Sequence, residues 1–197
     1  MTALLPRPST VLVIVALLVA APGFATSSEP APPTATAPSF YPMQQMYFLK
    51  KIKPDVERVG VLWKKGVQNQ EDKLQALRRA TTSIQAKLYL AYVEQKSDIG
   101  SQFRELTRSH DVDVIWIVEN DGIVDAATPQ QFLIESALKR GIPLLAPTED
   151  WVSAGAPLAV AKNGEDFQIV LNKPAAAATS LDVPAEYESL TKLVAAK

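Results

Sequence analysis

Cysteine is absent from this chain and histidine occurs once, at His110. The first absence excludes disulfides, thiolate metal sites, a cysteine nucleophile and a lipid-modified N-terminal cysteine. A single imidazole leaves little for a transition-metal centre, so neither metal nor cofactor is expected. His110 is placed at a helix end, where it caps carbonyls or faces solvent. Glycine is scarce, and neither GxGxxG nor GxxxxGK[ST] occurs, so a phosphate cradle built on those loops is excluded. Charge of either sign is not in excess, with 20 Lys and Arg against 21 Asp and Glu. No basic stripe marks a nucleic-acid surface. No Ser-His-Asp arrangement has a sequence signature. A phosphoacceptor receiver domain needs an acidic pair after its first strand, and Trp63-Lys64-Lys65 stands there instead. The chain is therefore expected not to be an enzyme.

What is present begins with an apolar segment, Val11–Ala21, after the single early cation Arg7. It is about half the ~20 residues that a bilayer span needs. Small residues follow at Gly23 and Ala25. This pattern predicts a signal peptide over residues 1–25, cleaved near Ala25, and a periplasmic or secreted protein. Residues 26–39 (TSSEPAPPTATAPS) carry one charge and no core-forming side chains. They read as a Pro/Ala/Ser/Thr-rich linker. Residues 40–197 then form a single domain.

Within that domain strands and helices alternate. Arg58–Trp63 and Lys87–Val93 read as strands, Val112–Val118 (VDVIWIV) and Ile142–Ala146 as nearly unbroken apolar runs. A continuous β-branched run is a strand buried on both faces. Amphipathic stretches at Tyr41–Lys51, Glu71–Ile84, Ile99–Ser109 and Thr128–Arg140 lie between them, with Asp98 as N-cap of the third. Pro157–Ala161 and Phe167–Leu171 read as strands hairpinned across Asn163-Gly164, and Pro184–Val194 as a closing helix. The fold class is α/β, a doubly wound, mostly parallel sheet flanked by helices.

In such sheets ligands bind beyond the carboxyl ends of the strands. The polar turns 119–122 and 147–150 lie there. Asn69, Asn120, Asp121, Thr148, Glu149 and Trp151 are the candidate ligand or partner contacts, with Glu119 and Asp150 beside them. Turns and helix starts favour Asn, Asp and Thr on conformational grounds alone. Trp151 follows an acidic pair in a loop. Exposed, it would stack an amine-bearing ligand or anchor an interface; the alternative is packing beneath the loop. Trp63 and Trp116 fall inside strands and belong to the core or its rim.

Several segments also resemble a known family. Leu49–Leu62 (LKKIKPDVERVGVL), Asp113–Asp121 (DVIWIVEND), Gly141–Ala146 (GIPLLA) and Ile169–Pro184 follow one another as in ABC-transporter substrate-binding proteins of the tryptophan-binding-like group, a type I periplasmic binding protein fold. They resemble its second lobe over most of residues 45–187. In that family the ligand is trapped between two lobes, whereas here only the signal and linker precede Tyr41. The resemblance implies a single lobe acting as a solute-binding-like or sensor accessory protein linked to an ABC-type uptake or signalling system. Its expected partners are a small polar solute such as an amino acid, bound weakly, a membrane transporter or sensor, or a second copy of itself. The alternative is a protein–protein interaction module that kept the fold and lost the solute site.

Overall fold

The computed structural model describes residues 40–195, so the expected signal peptide and linker lie outside the described residues. Seven strands form one sheet in the order β2-β1-β3-β4-β5-β6-β7. These are β1 (Arg58–Lys64), β2 (Lys87–Val93), β3 (Val114–Trp116), β4 (Leu144–Ala146), β5 (Leu158–Asn163), β6 (Asp166–Leu171) and β7 (Thr191–Leu193). The pairs from β2 through β5 are parallel, β5 and β6 are antiparallel, and β6 and β7 are parallel again.

The helices are α1 (Pro42–Ile52), α2 (Gln70–Ser83), α3 (Ile99–Arg104), α4 (Ala127–Lys139), α5 (Glu149–Ser153) and α6 (Lys173–Ala178). Strand alternation sends Val59, Val61 and Trp63 toward α1 and α2, where they meet Met46, Leu49 and Leu77. On the opposite face Leu62, Ile115 and Ile117 meet Phe103, Leu133 and Trp151 from α3, α4 and α5. The central strands are thus sandwiched, which is why their sequences run apolar without alternation. α1 starts with Pro42, whose missing N–H costs nothing at a helix start, and its stripe Met46, Leu49, Ile52 is buried. Gly60 is required by close approach. A Cβ there would stand 3.1 Å from both Val112 methyls and 3.3 Å from Leu106 Cδ1.

Three expectations need correction. The segment 184–194 is not a closing helix. A 3-10 turn, Ala185–Leu190, leads into β7, because Thr191–Leu193 finds unpaired backbone groups along β6. The turn at 147–150 is cut short by α5, whose first turn carries Glu149 and Asp150. Asp98 does not cap α3; its carboxylate accepts from the backbone N–H groups of Glu94 and Gln95, both at 3.1 Å, and closes a 3-10 turn at Lys96–Asp98. The third helix runs over Ile99–Ser109 as expected, its second half as a π turn, Glu105–Ser109. His110 beyond it stacks on Tyr89 at 4.6 Å between centroids.

Candidate functional site

The chain leaves β1 for β2 on one side and returns past it to β3 on the other. The loops at the carboxyl ends of β1 and β3 therefore flank the switch point, where open α/β sheets form their crevice. Three linked groups occupy it.

The first is centred on Glu119. Its Oε1 accepts from Trp63 Nε1 at 2.9 Å, and its Oε2 pairs with Lys73 Nζ of α2 at 2.5 Å. Lys73 also lies 5.7 Å from the centre of the Phe40 ring. Trp63 is buried and stacks on Tyr92. One carboxylate thus joins β1, α2 and the loop after β3.

The second is the loop after β3, which two carboxylates fold upon itself. Asp121 Oδ1 accepts from the backbone N–H groups of Ile123 and Val124, both at 2.8 Å. Its Oδ2 accepts from Lys64 N at 3.1 Å, tying the loop to the end of β1. Lys64 Nζ donates to the Asp121 carbonyl at 3.3 Å. Asp125 Oδ1 accepts from the N–H groups of Asp121 and Gly122.

The third links that loop to α5. Trp151 Nε1 donates to Asn120 Oδ1 at 3.1 Å. The Trp151 ring is 1% exposed among the residues of the second core face. Of the two readings of Trp151, packing beneath the loop is the one the fold realises: α5 carries the ring into the core, where it removes a large apolar area from water.

The remaining candidates are less connected. Thr148 precedes α5, and its buried Oγ1 has no hydrogen-bond partner. Glu149 pairs with Lys192 of β7 at 2.8 Å. Asn69 sits exposed before α2 at φ 54°, a left-handed conformation that Asn tolerates, and its side chain caps nothing. The fold thus gathers Asn120, Asp121 and Trp151 around one loop and sets Thr148 and Glu149 on the next. Trp63, Lys64 and Lys73 were missed as members of the site. Their only sequence signal is position: two end an apolar strand, and Lys73 lies one turn into the following helix. Among the described residues, no three His, Cys, Asp or Glu side chains are grouped to hold a metal ion.

The model of the ABC transporter substrate binding protein family matches residues 40–178. This chain belongs to that family. Among solved structures, one of an ABC domain in complex with L-Trp from Streptococcus pneumoniae is similar at a TM-score of 0.67 and 16% identity. A conserved domain protein from Vibrio cholerae gives 0.66 and 18%. The ligand-free, open structure of a substrate binding protein with adhesive properties from Clostridium difficile gives 0.62 and 15%. Each match covers 78% of this chain but only 61%, 60% and 59% of those chains, in the same order. At such identities the likeness establishes the fold, a periplasmic-binding-protein-like α/β lobe. No curated protein matches this chain significantly.

Proposed function

We propose that this chain is a non-catalytic, extracytoplasmic solute-binding-like or sensor accessory protein serving an ABC-type uptake or signalling system. The observation that carries the reading is a substrate-binding-protein lobe whose strand ends present polar side chains, Asn69, Asn120 and Asp121 at the switch point and Glu149 on the next loop. A small polar solute such as an amino acid fits those side chains, and the L-Trp complex of the similar S. pneumoniae structure supports the class. Export is supported by the family and by the apolar segment Val11–Ala21. N-terminal sequencing of the exported protein tests that part, with cleavage expected near Ala25.

The described residues supply one face of a binding cleft. A solute held on one face alone stays half solvated, and the cost of ordering it is poorly offset. Calorimetry of the purified protein against a panel of free amino acids is expected to give saturable binding no tighter than micromolar. Sub-micromolar affinity for a monomer would refute one-faced binding.

A second reading, an interaction module that lost its solute site, is favoured by a specific observation. Glu119, Asn120 and Asp121 already spend their oxygens on Trp63, Lys73, Trp151 and backbone groups. On this reading no panel member binds. Asn69→Arg with Asp150→Arg, both at exposed positions, then weakens self-association or partner capture, as read by sedimentation and pull-down from the cell envelope.

A further inference from the structure

A second concavity lies away from the switch-point network, between the start of α3 and the start of α4. It is an open surface depression of about 430 Å³, lined by Lys96, Ile99, Gly100, Thr128, Pro129 and Phe132. That volume falls within the range of small-ligand sites. Gly100 forms part of its floor. A Cβ there would stand 3.8 Å from Phe132 Cζ and 3.7 Å from Arg104 Nη1, so an aromatic ring and a guanidinium converge over the absent side chain. Phe132 is 40% exposed, although its inner edge rests against the buried Phe103 ring at 6.1 Å between centroids.

Two cations, Lys96 and Arg104, stand at this groove. Neither Lys96 nor Arg104 forms an ion pair among the described residues. The neighbouring acids are engaged elsewhere. Asp98 is turned to the amides of Glu94 and Gln95, and Glu94 pairs with Lys65. Asp125 holds the loop after β3, and Glu135 accepts from Gln131 and lies 3.9 Å from Lys139.

We propose that this groove binds a small carboxylate with an apolar body, a medium-chain alkanoate or aryl acid. The apolar part lies on Ile99, Pro129 and Phe132 over Gly100. The carboxylate meets Lys96 and Arg104, with the Thr128 hydroxyl as an uncharged donor. Apolar burial and a charge-assisted contact are both needed, because neither alone offsets the cost of ordering a small ligand.

Isotope-labelled protein titrated with octanoate, octanol and acetate, followed by NMR, tests the proposal. Octanoate is expected to give saturable shifts centred on the amides of Ile99, Gly100, Thr128 and Phe132. Octanol and acetate should bind at least tenfold more weakly. Lys96→Glu with Arg104→Glu should weaken octanoate at least tenfold. Gly100→Met, which fills the groove from its floor with both cations intact, should abolish it; this arm decides the matter if the charge variant fails to fold. Octanol binding as well as octanoate, shifts centred elsewhere, no saturation, or binding that survives Gly100→Met would each overturn the proposal.

Discussion

Trp116 at the end of β3 donates its indole N–H to Gln45 Oε1 of α1 at 3.1 Å, and both side chains are fully buried. The bond ties the first helix to the centre of the sheet across 71 residues of sequence. A buried donor that loses its acceptor costs about 1–3 kcal/mol. Gln45→Leu is therefore expected to destabilise the fold by about that amount, measured by urea unfolding. Adding Trp116→Phe should recover part of the loss, because it removes the orphaned donor.

Glu119 couples Trp63 to Lys73 with little exposure to solvent. Glu119→Ala strands an indole donor and an ammonium together, so a loss of about 2–4 kcal/mol is expected, toward the upper end for a part-buried pair. Lys73→Met removes only the cation and keeps its stem over Phe40, and should cost less. Thermal melts of the two variants, compared with the double change, give the coupling.

Trp151→Ala is expected to behave as a core deletion and not as a surface change. A ring that is 1% exposed leaves a cavity, and losses of about 3–5 kcal/mol are typical. Asn120→Ala, which removes only the acceptor of the indole N–H, should cost about 1–3 kcal/mol. If Trp151→Ala left the melting temperature unchanged, the buried placement of α5 would be refuted.

The Asp98 carboxyl is held below its ordinary 3.8, first by the backbone N–H of Glu94 and then by that of Gln95. A depressed carboxyl contributes stability that is present above its unfolded value and lost as pH falls through its folded value. The 3-10 turn at 96–98 is accordingly expected to hold at neutral pH and loosen only below that ordinary range. NMR titration of the carboxyl reads this directly, and Asp98→Asn should remove the acid-side dependence of the Glu94 and Gln95 amide shifts.

The central strands were legible because burial on both faces writes itself as an unbroken apolar run, as at Val114–Trp116 and Leu144–Ala146. β7 was not. Thr191-Lys192-Leu193 has no such run, and it becomes a strand only because Ile169–Leu171 offers it a partner. α5 was hidden for a related reason. Glu149 and Asp150 suit a turn and a helix start equally, and the burial of Trp151 and Val152 decides between them.

The sequence by itself determined the alternation of strands and helices, the parallel centre of the sheet and the loops that stand at its carboxyl edge. These follow from periodicity and local propensity, which act over a few residues. Only the tertiary structure decided what those loops do with their polar atoms. Glu119 meets Trp63 across 56 positions and Asn120 meets Trp151 across 31. The same holds for the groove over Gly100, where Arg104 from α3 and Phe132 from α4 converge. Hydrogen bonds and ring contacts of this kind depend on distance in space, and no local pattern of residue types encodes which turn will face which helix.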